Sequence, residues 1–293
     1  MTPTPPPSIR LGRVRGAPFG ALAILAIATA CASGSGAVAG GGSDGDAPAT
    51  PEARLADRVL TASGIESVID ARARAFTRQV ALLAGDLTDD ELERLVPAVQ
   101  TAFAPDLLRG DIASLLEDEA PPGRLQEVLD WLEEGSSAEA RRIVEAYEPP
   151  LSLEEWLTEY TVDPPSVVRI RLVARWTEAR GTGDFFVLME QALSEAAHLV
   201  ETHFRPRAEP FVPLRGDELL DRLEDSYNAA VVTALHASET VPDSVLAGAT
   251  QELESEAGRW YVQTYQLAVA EAVRAAGIRV VQELSSRAGP GAR

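Results

Sequence analysis

The chain has 293 residues, is 45% hydrophobic and only 5% aromatic, and carries 45 acidic against 26 basic residues for a net charge of −19. Every basic residue is arginine, which excludes a P-loop lysine, a Schiff-base lysine and a lysine general base. The acidic balance is the wrong field for a duplex nucleic-acid binder, and one cysteine, Cys31, allows no disulfide and no cysteine-rich metal site.

Arg10, Arg13 and Arg15 precede an apolar run from Gly16 to Ala30, then Cys31, and no acidic residue occurs before Asp44. A basic leader, an apolar centre and small residues at the cut form a secretory signal. The apolar part is ~14 residues, short of the ~20 that span a bilayer. Ala28-Thr29-Ala30-Cys31 resembles the bacterial lipoprotein box, with Ala28 where that box prefers Leu. The resemblance implies acyl chains on Cys31, cleavage before it, and Cys31 as the mature N-terminus. Ala32 follows rather than Asp, which by resemblance to Gram-negative lipoproteins points to the outer membrane. The competing reading is an ordinary secretory signal with an incidental cysteine. Loss of the three leader arginines takes the net charge from −19 to −22.

Residues 31–51 are rich in Gly, Ser and Ala, bury too little to fold and read as a flexible tether. Beyond them the core must be built from Leu, Val, Ile and Ala, a mix that favours helices.

Ile65, Val68, Ile69, Phe76, Val80 and Leu83 mark one face of a helix over about 64–84. Thr88…Glu91, Ser136…Glu139 and Ser152…Glu155 read as capping boxes, a hydroxyl and a carboxylate three apart that satisfy each other's backbone amides. Further helices are expected at about 107–118, 123–134, 137–147, 166–180, 184–204 and 217–238, with one long helix from Pro242 towards Ser286. No segment alternates long enough for a strand. Pro149-Pro150 and Pro164-Pro165 bound a short hinge helix, and Pro206, Pro210 and Pro213 mark a loop. The expected architecture is all-α, about ten helices in two halves, 52–148 and 166–288, joined by a hinge at 149–165.

Two registers for an internal duplication compete. One pairs Leu55, Arg58, Ala62 and Gly64 with Leu172, Arg175, Ala179 and Gly181, continuing as Pro122 with Pro242. The other pairs Leu108–Asp111 with Leu214–Asp217. Arg109-Gly110-Asp111 and Arg215-Gly216-Asp217 spell an adhesion tripeptide, but the structural reading is a glycine break with Asp capping the next helix.

No nucleophile elbow, His-Glu-x-x-His or dinucleotide fingerprint occurs. Glu195…His198 has the spacing of one metal-ligand pair of di-iron bundles but occurs once, and His198 reads as an ion pair with Glu201. His203 reads as a core-edge residue. Acidic pairs such as Glu117/Asp118 arise freely among 45 acids. The expectation is no enzyme and no cofactor. Candidate partner-binding residues are Trp156 and Tyr160 on the hinge helix, and Arg169, Arg171, Arg175 and Trp176 on the helix after it. The alternative for the arginines is pairing with neighbouring helices, and for the aromatics stapling of helices.

The stretch Val241–Arg259 resembles an uncharacterised family of exported bacterial helical proteins. That family's pattern runs, loosely, Phe-Thr, Glu-Leu, then Phe-Tyr-x-Ser-Pro-x-Gly. Leu246, Ser255 and Gly258 match; Glu252 stands at the aromatic position and Glu256 at the proline. Leu125…Trp131-Leu132 keeps the aromatic in the first half. The resemblance implies an exported all-α domain and carries over no catalytic residue. The expected role is a lipid-anchored envelope protein acting by protein–protein contact on the periplasmic side. The alternative is a carrier of an apolar ligand between the halves.

Overall fold

The computed structural model describes residues 50–64, 69, 74, 76 and 87–287. The leader, Cys31 and nearly all of the tether lie outside the described residues. So does most of the helix expected over about 64–84; its Ile69, Arg74 and Phe76 are described and helical, and Ile69 and Phe76 are buried. Among the described residues there are eleven α-helices and no strand, the all-α class expected. They are α1 (Pro51–Ser63), α2 (Asp89–Ala102), α3 (Pro105–Glu119), α4 (Arg124–Glu134), α5 (Ser136–Ala146), α6 (Leu153–Tyr160), α7 (Val167–Ala179), α8 (Thr182–Phe204), α9 (Gly216–Ala237), α10 (Asp243–Glu254) and α11 (Glu256–Arg287).

Local side-chain caps set several of the starts. Thr88 and Ser152 form the two reciprocal capping boxes expected, with Glu91 and Glu155. The Ser166 hydroxyl accepts the Arg169 N–H at 3.1 Å and opens α7. Helix α1 was not expected: Thr50 caps it by accepting the Ala53 N–H at 2.9 Å, and Pro51 stands at its first position. Thr-Pro is the sequence signal for such a start, since proline's missing N–H is one that a first turn leaves unpaired anyway. Helix therefore begins at Pro51, inside the 31–51 stretch expected as tether.

Three expectations are corrected. Ser136 is not a cap: Gly135 occupies the cap position of α5 without a side-chain bond, and the α5 amides are held from elsewhere in the fold. The long helix from Pro242 is two helices, broken at Ser255, whose extended backbone (φ −63°, ψ 167°) ends α10. The Ser255 hydroxyl accepts the Gly258 N–H at 3.0 Å and starts α11. A Cβ on Gly258 would collide with the Glu252 and Leu253 carbonyls, so the break requires glycine there. Arg109-Gly110-Asp111 lies inside α3, not at a helix start. There Arg109 pairs with Asp57 of α1 at 2.8 Å, and Asp111 with Arg279 of α11 at 2.6 Å.

Two apolar cores form. The first joins α1, α2, α3 and α4 with α8 and α11; the second joins α5, α6, α7, α9 and α10. Each core takes helices from both sides of residues 149–165. Helix α11 is the axis of the first. Its 32 residues extend ~48 Å and bury Ala268, Ala270, Ala272, Val273, Ala276 and Val280. Small side chains let neighbours approach closely: a Cβ on Gly277 would lie 2.6 Å from the Ala196 Cβ of α8.

The first duplication register brings like elements together. Helices α1 and α7 are each 13 residues, followed by Gly64 and Gly181 at φ 75° and 58°. Helices α4 and α5 are separated only by Gly135, as α10 and α11 are by Ser255. In both pairs the second helix leaves its predecessor's core: α5 packs into the second core, α11 into the first. The second register equates the middle of α3 with the start of α9, which are unlike positions.

Candidate functional site

The residues expected to meet a partner lie on α6 and α7, and most of them turn inward. Trp156 and Trp176 are buried in the second core, and Tyr160 is half-buried against Trp156, ring centres 5.1 Å apart. Trp156 also packs on His236, whose Nε2 lies 3.0 Å from the Leu151 carbonyl oxygen. These rings staple α6 to α9, so they offer no exposed aromatic patch. Arg169 donates to the Val241 carbonyl at 2.8 Å, to the Ser238 carbonyl and to Asp243, tying the end of α9 to the start of α10. Arg175 makes a two-point pair with Glu254 of α10, with Nε–Oε1 at 2.7 Å. That bond holds the Glu254 carboxyl below its ordinary range. Arg171 and Arg175 are both exposed, and of the two it is Arg171 that makes no ion pair among the described residues.

The outer side of the same two helices carries a feature that the sequence reading missed. The chain leaves α6 with the Val162 and Asp163 amides both donating to the Glu159 carbonyl, at 2.8 and 2.9 Å. It then runs through Pro164-Pro165 into α7. Val162, Val167 and Val168 are 84, 63 and 69% exposed. Pro164 between them is exposed too, and Arg171 is one turn further on. Three β-branched apolar residues within seven positions, beside a Pro-Pro corner, make a knuckle of apolar surface. The available signal was that Val167 and Val168 stand apart from the stripe of Val173, Trp176 and Thr177, which is buried.

A second locus is the junction of the two cores. Glu252, in the last turn of α10, accepts the Ser136 N–H at 2.7 Å and the Ser137 N–H at 2.8 Å. A carboxylate on unpaired first-turn amides satisfies them and meets the positive end of the helix dipole. Trp131 of α4 packs edge-on against Tyr261 of α11, centres 5.6 Å apart; Tyr261 belongs to the first core, and Trp131 packs against both. Burial pushes the Tyr261 phenol up to about 12. Trp131 Nε1 and Ser137 Oγ are buried here with no hydrogen-bond partner among the described residues.

Nothing in the histidine neighbourhoods assembles a metal centre. Glu195 is taken by Arg274 of α11 at 2.8 Å, and His198 lies 3.9 Å from Glu201 and 3.3 Å from the Thr202 hydroxyl. His203 is half-buried, edge-on to Phe204. No group of three or more His, Cys, Asp or Glu side chains that could hold a metal is found among the described residues. Of the surface depressions, one between Leu87, Val200 and Phe204 has about 10 Å³ and admits no more than a water. Another, an open groove of about 420 Å³, runs past Ile143, Tyr147 and Thr240. Neither encloses an apolar chamber. No described helix is long and apolar enough to cross a membrane.

No protein-family model, no curated protein and no solved structure matches this chain.

Proposed function

We propose that the chain is an envelope protein held to a membrane by acyl chains on Cys31, at the outer membrane and facing the periplasm, and that it works through protein–protein contact. The observation that carries the reading is Ala28-Thr29-Ala30-Cys31 at the end of a short apolar run that follows three arginines. The Gly-, Ser- and Ala-rich composition of residues 31–51 supports it, since such a stretch suits a spacer between a membrane anchor and a folded body.

The mass of the mature chain from the membrane fraction tests the anchor. Cleavage before Cys31 with added acyl mass is expected; a chain cut elsewhere, or an unmodified Cys31, overturns it. Crosslinking in intact envelopes tests the contact. A reproducible crosslinked partner that is lost on substitution of surface residues is expected, and reproducible recovery of the chain alone overturns it. The second reading, a carrier of an apolar ligand between the halves, would need an enclosed apolar space; neither depression described above is one.

A further inference from the structure

We infer that the α6–α7 knuckle is a second, reversible contact with the bilayer, through which the anchored body lies down on the lipid surface. The inference rests on the acylated Cys31 proposed above. Val162, Val167 and Val168 present their side chains to solvent at 84, 63 and 69% exposure, with no helix packed over them. Pro164-Pro165 fixes the backbone between them, so little conformational entropy is lost when the knuckle is held. Arg171, one turn behind the valines on α7, is exposed and without an ion pair among the described residues, positioned for a lipid phosphate.

Three valines would bind a bilayer too weakly on their own. The anchor changes that. Thr50 is nineteen positions after Cys31, a length of chain that reaches at most about 65 Å. The knuckle therefore meets lipid at an effective concentration that the tether sets, and a contact too weak for a free protein becomes populated. Two charges oppose it. Asp163 is exposed within the knuckle, and the body as a whole is strongly acidic. Contact is accordingly expected on zwitterionic lipid and weakened by anionic lipid.

The full acylated chain carrying Val167→Cys, labelled with an environment-sensitive fluorophore, tests this in phosphatidylcholine vesicles. With Cys31 blocked by lipid, the introduced thiol is the only one. Val212→Cys, 78% exposed on the loop before α9, is the control. Vesicle-dependent blue shift and at least threefold stronger quenching by spin-labelled lipid at 167 than at 212 are expected. Asp163→Asn should increase both, and Val162→Asp with Val168→Asp should abolish them. A chain that floats with vesicles while its label at 167 stays aqueous overturns the knuckle and leaves the anchor standing. A chain that does not float overturns the anchor and the knuckle with it. A blue shift at 167 that persists without vesicles assigns the knuckle to protein contact and also overturns the proposal.

Discussion

Glu252 caps a helix that is not its own. Its carboxylate, from the end of α10, accepts the Ser136 N–H at 2.7 Å at the start of α5, so that one side chain fastens two helices of the second core at the point where the first core begins. Ser136…Glu139 has the form of a local capping box, yet the amide goes to a residue 116 positions away. Replacement with alanine strips the cap from two amides and should cost about 1–3 kcal/mol, read as a lowered urea midpoint. Glu252→Gln retains one acceptor and should cost less. A Glu252→Gln variant as stable as the native chain, beside a destabilised Glu252→Ala, would show that the side chain acts by packing alone.

The close crossing of α8 and α11 makes a prediction that opposes helix propensity. Gly277→Ala would stabilise an isolated helix by about 1 kcal/mol. In the folded chain the new methyl would lie 2.6 Å from the Ala196 Cβ, and overpacking of this kind costs about 1–3 kcal/mol. Net destabilisation is expected, with most of it recovered in the double variant Gly277→Ala, Ala196→Gly. Thermal melts of the four proteins in the cycle check it, and additive effects would contradict the crossing.

Acid should loosen the fold through three carboxylates. The Glu91 carboxyl is held below its ordinary range by the Thr88 amide, Glu155 by the Ser152 hydroxyl, and Glu254 by Arg175. Each is more acidic folded than unfolded, so the unfolded chain takes up protons first. Their contribution is present above the ordinary glutamate range of about pH 4.3 and is lost as pH falls below it. Urea midpoints from pH 6 to 3 should fall for the native sequence and fall less steeply for Glu155→Gln.

Alkali acts through Tyr261. Burial raises its phenol to about 12, so above pH ~10 the unfolded chain loses a proton that the folded chain keeps. The contribution of Tyr261 to stability is constant below pH ~10 and declines above it, by up to about 2–3 kcal/mol. Tyr261→Phe keeps the ring against Trp131 and should flatten this alkaline limb. Tyr147, raised to about 12 by burial and by its bond to Glu239, adds a decline that remains in that variant.

Elements whose cause is local were legible in the chain. The capping boxes at Thr88 and Ser152 need only residues three apart. The apolar stripe of α8 depends only on its own helical period, and Met189, Ala192, Ala196 and Val200 are buried as that period requires. The Thr50-Pro51 start of α1 was legible as well, but lay within a stretch whose Gly and Ser content reads as tether.

What the sequence by itself determined is the all-α class, most helix limits and the acidic, arginine-only surface, because caps, periodicity and composition act within a few residues of chain. Only the tertiary structure decided the rest. It broke the expected last helix at Ser255, where Gly258 lets the backbone turn against the end of α10. It directed Glu252 to α5 and Arg169 to the α9–α10 corner. It also turned Trp156 and Trp176 inward while leaving Val162, Val167 and Val168 outside. Both groups are apolar residues on one short stretch, and which of them meets solvent depends on where α9 and α10 pack. Residues far along the chain fix that packing, and no local pattern on α6 or α7 encodes it.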